Sequence, residues 1–277
     1  MTEQSISLQG INLRYRDSGG SGPVLLLSSG VGQSLEFWDR QFEAFAENHR
    51  LIAWDYPAHG GSGPADYSVD SLAQLGVALL DALEVPQAFL VGNSLGGAVS
   101  LQMQSLAPER VQGLVLAAPA FSGPKIFPAF KLFTLPVIGT LLTKPSEKGV
   151  EMQVSGVFHP NFSPDETLIA AIRRNVFNKD GQAPFLAFMR ATLSLTGVRP
   201  AVVSKLQKLY RDCSCSILIV HGREDKIIPF TQSVDSAALA ANARLEVFED
   251  CGHAPQLEWP RRFNSLLRAA TGVTPRS

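Results

Sequence analysis

Ser94 lies in the run Val91-Gly92-Asn93-Ser94-Leu95-Gly96-Gly97, and a serine with glycine two residues to either side has chemical content. A serine hydroxyl is a poor nucleophile unless it is exposed, oriented and paired with a base. The Gly-x-Ser-x-Gly spacing provides this when a strand runs into it and a helix leaves it, because the serine then crowns a sharp turn. Gly92 and Gly96 lack the Cβ atoms that would collide where strand and helix pack together. The helix N-terminus adds unpaired N–H groups and a partial positive charge. The flanks have the required character. Ala88-Phe89-Leu90-Val91 is a short apolar run that predicts a buried strand, and Leu95 to Leu106, rich in Ala, Leu, Gln and Met, predicts a helix.

A nucleophile on such a turn takes an acid and then a histidine from further along the chain. Of five histidines, His49 and His59 precede Ser94, His159 precedes any good acid, and His221 precedes the best acid. His253 remains, on a loop after Ala243 to Phe248, whose alternating pattern predicts a half-buried strand. The predicted acid is Asp225, in His221-Gly222-Arg223-Glu224-Asp225, on a loop after the apolar run Ser216 to Val220. Ligand sites in open α/β sheets lie at such C-terminal strand ends. Glu224 is a close rival and Asp250, near His253 in the chain, a weaker one. After the strand Gly113 to Leu116 the chain reads Ala117-Ala118-Pro119-Ala120, with no carboxylate. In this triad Ser94 attacks a carbonyl, His253 accepts and returns the proton, and Asp225 fixes the imidazole tautomer.

Three groups from distant parts of the chain can meet only if several strands end at one edge. Apolar strand-like runs do alternate with helical patterns, predicting a mostly parallel sheet with helices on both faces. Ile6 to Asp17 reads as a starting hairpin closed by the turn Ser18 to Gly22. Phe37 to Phe45 and Ser71 to Leu83 read as amphipathic helices, with a strand at Arg50 to Trp54 between them. After Ala120 the alternation stops, and residues 121–198 contain no convincing strand before the pattern resumes at Ser216. No internal repeat or low-complexity tract interrupts the chain.

Over nearly its full length the sequence resembles the α/β-hydrolase family. The family's Asp-x-Pro-x-His-Gly-x-Ser segment is matched by Asp55-Tyr56-Pro57-Ala58-His59-Gly60-Gly61-Ser62, its Gly-x-x-Asp by Gly222 to Asp225, and its Gly-His by Gly252-His253. The resemblance implies an eight-stranded, mostly parallel sheet with a helical lid inserted after the sixth strand. The domain reading is therefore a core of residues 1–120 and 199–277 and a lid of 121–198. His59 matches a scaffold position. One landmark departs: many relatives carry His-Gly after the early strand, where a backbone N–H binds the oxyanion. Here Val24 to Leu27 runs into Ser28-Ser29-Gly30-Val31-Gly32. By position the donor is the Val31 N–H, with Gly30 as the alternative, and the second donor is the Leu95 N–H.

Composition narrows the class. The chain has 277 residues, 45% hydrophobic content and a net charge of -1, as ordinary globular proteins do. That balance offers no basic stripe for nucleic acid. Met1 to Ser7 lacks the charged and apolar regions of a secretory signal. Three cysteines, Cys213, Cys215 and Cys251, suit a reduced cytoplasmic setting, with Cys251 expected to pack beside the His253 loop. No dinucleotide, Walker A or zinc-protease motif is present, so neither a cofactor nor a metal is expected. The stretch Phe127 to Gly139 is strongly apolar, yet too short and too broken by Pro128, Lys131 and Pro136 to insert stably in a bilayer.

That stretch is where substrate choice is expected. Phe127, Phe130 and Phe133 either roof an apolar substrate pocket or pack the lid onto the core, and Arg190 either meets an anionic substrate or, the favoured reading, lies on a solvated helix face. The expected function is cleavage of a small to medium carboxylic ester with an apolar portion, through an acyl-enzyme. The Gly92-Asn93-Ser94 form is also similar to carbon–carbon bond hydrolases of aromatic degradation, although Ala254-Pro255 rather than tryptophan follows the histidine. Ser28 to Trp38 is somewhat similar to enol-lactone hydrolases. A ligand receptor or sensor on the same fold is the non-enzyme alternative. The sequence leaves the oligomeric state open.

Overall fold

A computed structural model describes residues 3–272; Met1, Thr2 and 273–277, which the sequence-based domain limits include, lie outside the described residues. Strands β1 (Glu3–Leu8), β2 (Ile11–Asp17), β3 (Val24–Ser28), β4 (Arg50–Trp54), β5 (Ala88–Asn93) and β6 (Val111–Ala117) come first. Two-residue strands β7 (Leu193–Ser194) and β8 (Gly197–Val198) form a separate ribbon, and β9 (Ile217–Gly222) and β10 (Ala243–Phe248) complete the main sheet. Its order is β1-β2-β4-β3-β5-β6-β9-β10. The β1–β2 and β2–β4 pairs are antiparallel, and from β4 to β10 every pair is parallel.

Parallel strands need crossovers, and the helices supply them. The chain adds α1 (Asp39–Phe45), α2 (Val69–Ala82) and α3 (Leu95–Leu106), then five helices between β6 and the ribbon: α4 (Pro128–Leu132), α5 (Pro136–Leu142), α6 (Glu147–Val157), α7 (Glu166–Val176) and α8 (Gln182–Thr192). After the ribbon come α9 (Pro200–Asp212), α10 (Thr231–Leu239), α11 (Pro255–Glu258) and α12 (Pro260–Thr271). Ser68, Ser146 and Asp165 cap α2, α6 and α7, each accepting a hydrogen bond from a backbone N–H of the first turn. No helix among the described residues is long and apolar enough to cross a membrane.

The central strands read as unbroken apolar runs because both of their faces are buried. Leu26, Leu90, Leu114, Leu116, Ile217 and Ile219 point to one face and pack with Leu72, Leu79 and Met103 of α2 and α3 and Leu206 of α9. Their neighbours Leu25, Leu27, Val91, Val115, Leu218 and Val220 point to the other and meet Phe42 and Phe45 of α1 and Phe263 and Leu267 of α12. The registers Ser28↔Gly92, Asn93↔Ala117, Ala117↔Val220 and Phe248↔Gly222 bring the five C-terminal strand ends to one edge.

Two sequence expectations need correction. The hairpin begins at Glu3 and turns at Gln9 and Gly10, both with positive φ of 51° and 80°, so Ser18 to Gly22 only leads out of it. The pattern misses β1's start because Glu3 to Ser5 are exposed on an edge strand and carry no apolar alternation. Residues 121–198 do contain strands, β7 and β8, joined through Leu193↔Val198 and Ser194↔Gly197. Two residues are too few to leave a periodic signature.

Candidate active site

The turn after β5 holds Ser94 at φ 56° and ψ -116°, a backbone region costly for a side chain by roughly 1–3 kcal/mol. Its surroundings over-determine that geometry. Ser94 N–H donates to Ala117 O at 2.9 Å, and Ser94 O accepts from Gly97 N and Ala120 N at 3.0 and 3.1 Å. The two glycines are sterically required: a Cβ on Gly92 would sit 2.2 Å from Gly96 O, and one on Gly96 would sit 2.0 Å from Ser28 O. Ser94 is 6% exposed, and its hydroxyl makes no hydrogen bond among the described residues.

The loops after β9 and β10 carry the expected acid and base. His253 Nδ1 lies 2.7 Å from Asp225 Oδ2, so the carboxylate accepts from Nδ1–H and leaves Nε2 as the basic nitrogen. Neither rival acid faces His253. Glu224 accepts from Cys251 N–H at 3.0 Å, and Asp250 is exposed. Asp225 is held from both ends, since its Oδ1 accepts from Ile227 and Ile228 N–H at 2.7 and 2.9 Å. Burial pushes its carboxyl up, but charge on His253 and hydrogen bonds from His221 and His253 outweigh that and hold it well below the usual carboxylate range.

His221 is the partner that sequence order set aside. Fully buried, it places Nε2 2.9 Å from the same Asp225 Oδ2 and 3.0 Å from Ile228 O, so Nε2 carries the proton and donates. Its Nδ1, 2.7 Å away, accepts from the Ser233 hydroxyl of α10. Asn93, next to the nucleophile, donates to both Ala117 O and His253 O at 3.0 Å. Glu258 clasps the histidine loop: its carboxylate accepts from Gly252, Ala254 and His159 N–H at 2.9, 3.0 and 2.8 Å. Burial raises Glu258 in spite of those bonds. The sequence reading missed this clasp, because Glu258 belongs to no motif and its partners are backbone N–H groups. Cys251 does pack in the core beside this loop, and burial pushes its thiol up.

The loop after β3 separates the two candidate oxyanion donors. Gly30 N–H is already bound by Gln33 Oε1 at 2.7 Å, whereas Val31 N–H and Leu95 N–H have no acceptor among the described residues. Gly30 abuts the nucleophile, for a Cβ there would lie 3.0 Å from Ser94 Cβ. Ser28 and Ser29 hold the loop in place by accepting from Trp54 and Trp38 Nε1–H, each at 3.0 Å. The Asp55 to Ser62 segment is a clasp as well: Asp55 binds Arg14 and the N–H groups of Leu35 and Gly61 at 2.7, 2.8 and 2.9 Å.

A cavity of ≈ 190 Å³ adjoins this loop through Val31 and Gly32, and Phe127, Phe130, Phe133 and Phe185 line it. Successive rings stand 5.8, 5.5 and 5.7 Å apart by centroid. Ser94 and His253 do not line the cavity. His59 does, with its Nδ1 2.9 Å from Pro57 O and its pKa pushed down to about 4 by burial, so it is neutral there. Of the two readings of Arg190, the structure does not place it toward a substrate in the cavity. It does not line the cavity, and its guanidinium donates to Pro136 O at 3.3 Å, tying α8 to α5.

Comparison with known proteins agrees with this geometry at the level of family. Residues 24–266 match the model of the "Alpha/beta hydrolase family". The chain is similar to a 2-hydroxymuconate semialdehyde hydrolase of Pseudomonas sp. (strain CF600), with 32% identity across 95% of this chain and 92% of that protein. It is similar to a pimeloyl-[acyl-carrier protein] methyl ester esterase of Nitrosomonas europaea, with 33% identity across 90% and 96%. Among solved structures, a meta-cleavage product hydrolase from Pseudomonas fluorescens IP01 superposes with a TM-score of 0.80 and 25% identity, covering 97% of each chain.

Proposed function

Because the chain belongs to the alpha/beta hydrolase family and is a hydrolytic enzyme, we propose that it cleaves small to medium carboxylic esters through a Ser94–His253–Asp225 triad. The observation that carries the reading is the 2.7 Å contact between His253 Nδ1 and Asp225 Oδ2, on loops at the strand edge where Ser94 crowns its turn. Ser94 Oγ attacks the ester carbonyl carbon and passes its proton to His253 Nε2. The Val31 and Leu95 N–H groups bind the oxyanion, a contribution of roughly 2.7–4 kcal/mol for each donor. His253 then gives the proton to the departing alcohol, leaving an acyl-Ser94, and water repeats the sequence to release the acid.

Residues 121–198 act as a lid over the core of 1–120 and 199–277, and its four phenylalanines receive the apolar part of the ester. At ≈ 190 Å³ the cavity takes something near a single ring, since an apolar cavity of about 150 Å³ takes benzene. Carbon–carbon bond hydrolysis is the second reading, favoured by the similarity to the 2-hydroxymuconate semialdehyde hydrolase. A screen of nitrophenyl esters from acetate to octanoate, beside a dienone ring-cleavage product and an enol-lactone, tests both. We expect multiple turnovers with short and medium esters and none with Ser94→Ala. Faster turnover of the dienone selects the second reading, and absence of any turnover rejects both.

A further inference from the structure

Large apolar side chains left in water are concentrated in one place. Leu132, Val137, Ile138, Leu141, Leu142 and Met152 are all exposed, Val137 to 71% and Leu141 to 56%. Helix α5 buries nothing but Gly139. From Leu132 to Thr143 the chain carries no charge, and Lys131 and Lys144 stand at the two ends of that run. A contiguous patch of this kind on a soluble protein marks an interaction surface. Leu142, Lys144 and Met152 also line the aromatic cavity, so the patch surrounds its mouth.

Charge identifies the partner. Residues 121–198 hold eight lysines and arginines against five aspartates and glutamates, whereas the whole chain carries -1. The insertion is therefore basic and the remainder acidic. Lys125, Lys131, Lys144 and Lys148 form no ion pair among the described residues, while the nearby Glu147 is neutralised by Arg173 at 3.0 Å, leaving Glu151 as the unpaired acid beside the patch. A second copy of this chain would set one basic face against another, which like charges oppose. Apolar side chains bracketed by lysines match the boundary of a lipid layer that carries negative headgroups.

We propose that α4, α5 and Met152, with Lys131 and Lys144, form a docking face for an anionic phospholipid surface. The apolar side chains enter the headgroup–acyl boundary, the lysines meet phosphates, and the cavity mouth is held against the layer. The contact is peripheral, since no described helix can span a bilayer, and it does not depend on the triad.

Vesicle flotation of the full chain, in active and Ser94→Ala forms, is the test. Both forms are expected to float with phosphatidylcholine–phosphatidylglycerol vesicles, to float weakly with phosphatidylcholine alone, and to detach in high salt. Val137→Glu with Leu141→Glu changes only exposed positions and is expected to lower partition at least tenfold with an unchanged circular dichroism spectrum. Lys131→Gln and Lys144→Gln are each expected to lower it about five-fold, and Lys205→Gln on α9 to leave it unchanged. Failure to float with the mixed vesicles overturns the proposal, as does flotation indifferent to Val137→Glu with Leu141→Glu. A sedimenting dimer that this double substitution converts to monomer would assign the face to a second copy instead.

Discussion

Replacing Asp225 by asparagine exchanges one oxygen for an NH₂ group, and the structure determines which end it takes. If the amide oxygen faces Ile227 and Ile228, it keeps the hydrogen bonds of 2.7 and 2.9 Å that Oδ1 accepts now. The NH₂ group then faces His253 Nδ1 and His221 Nε2, currently 2.7 and 2.9 Å from Oδ2. In the reverse orientation NH₂ meets two buried N–H donors, leaving both unsatisfied at about 1–3 kcal/mol each. The first orientation is favoured because an imidazole, unlike a backbone amide, can change tautomer and accept from the NH₂ group. It forces His253 to accept at Nδ1 and carry its proton on Nε2, the nitrogen that must take the serine proton. The expected loss is on the order of 10⁴ in kcat, about 5 kcal/mol of transition-state stabilisation, with the fold retained. Glu224→Gln is expected to cost little, because its amide oxygen can still accept from Cys251 N–H. The assay is kcat and KM on a nitrophenyl ester, with circular dichroism to establish folding. An Asp225→Asn enzyme keeping more than about a tenth of wild-type kcat would refute tautomer control by Asp225.

Ser94→Ala is expected to abolish turnover and fluorophosphonate labelling, and His253→Ala added to it to change little more, because the triad acts as a unit; continued labelling would identify another nucleophile. His221→Ala removes one of two hydrogen bonds on Asp225 Oδ2 and is expected to lower kcat about tenfold with KM unchanged; a rise in KM alone would count against a positioning role. Phe127→Ala and Phe130→Ala are expected to weaken kcat/KM progressively with acyl length. Phe133, only 4% exposed, is expected to lose roughly 3–5 kcal/mol of stability as well; melting temperatures beside acetate, butyrate and octanoate kinetics separate these effects. Glu36 resists protonation in the fold because, although burial raises it, hydrogen bonds from Arg14 and Ser34 and the Arg14 charge bring it down to about 2. A depressed carboxyl adds stability that is present above its unfolded value of about 4.3 and is lost as pH falls toward the folded value. Melts of wild type are therefore expected to lose on the order of 3 kcal/mol between those limits, and Glu36→Gln to lack that component; parallel curves would disprove the linkage.

What the sequence made legible was whatever is encoded over a few adjacent residues. The Gly92 to Gly96 spacing is one such signal, since both glycines are forced by contacts within the turn and with Ser28. The strand at Arg50 to Trp54, the helix Leu95 to Leu106 and the strand Ala243 to Phe248 coincide with β4, α3 and β10, because burial on one or both faces imposes a local period. Contacts between distant segments were not legible. Chain order sets His221 aside as the base, and its bond with the Ser233 hydroxyl of α10, 12 positions on, leaves no local pattern. The Asn93–His253 bond joins residues 160 positions apart, and neither residue type announces it. The sequence leaves Gly30 open as an alternative to Val31, because no local pattern shows that the Gln33 side chain occupies the Gly30 N–H. The sequence leaves two readings of Arg190, because charge does not tell which face of a helix looks into a cavity.

Helix α6 touches both halves of the proposed catalytic machinery. Gln153 donates to Gly32 O at 2.9 Å, beside the candidate oxyanion donor, and Val157 O accepts from His253 N–H at 2.7 Å. Swinging α6 outward would break both contacts and slacken the loops that aim Val31 and His253. Helix α5, which buries only Gly139, makes no hydrogen bond to either loop among the described residues. An engineered crosslink from α6 to the core should therefore leave turnover intact, whereas Gln153→Ala, which frees Gly32 O, should lower it.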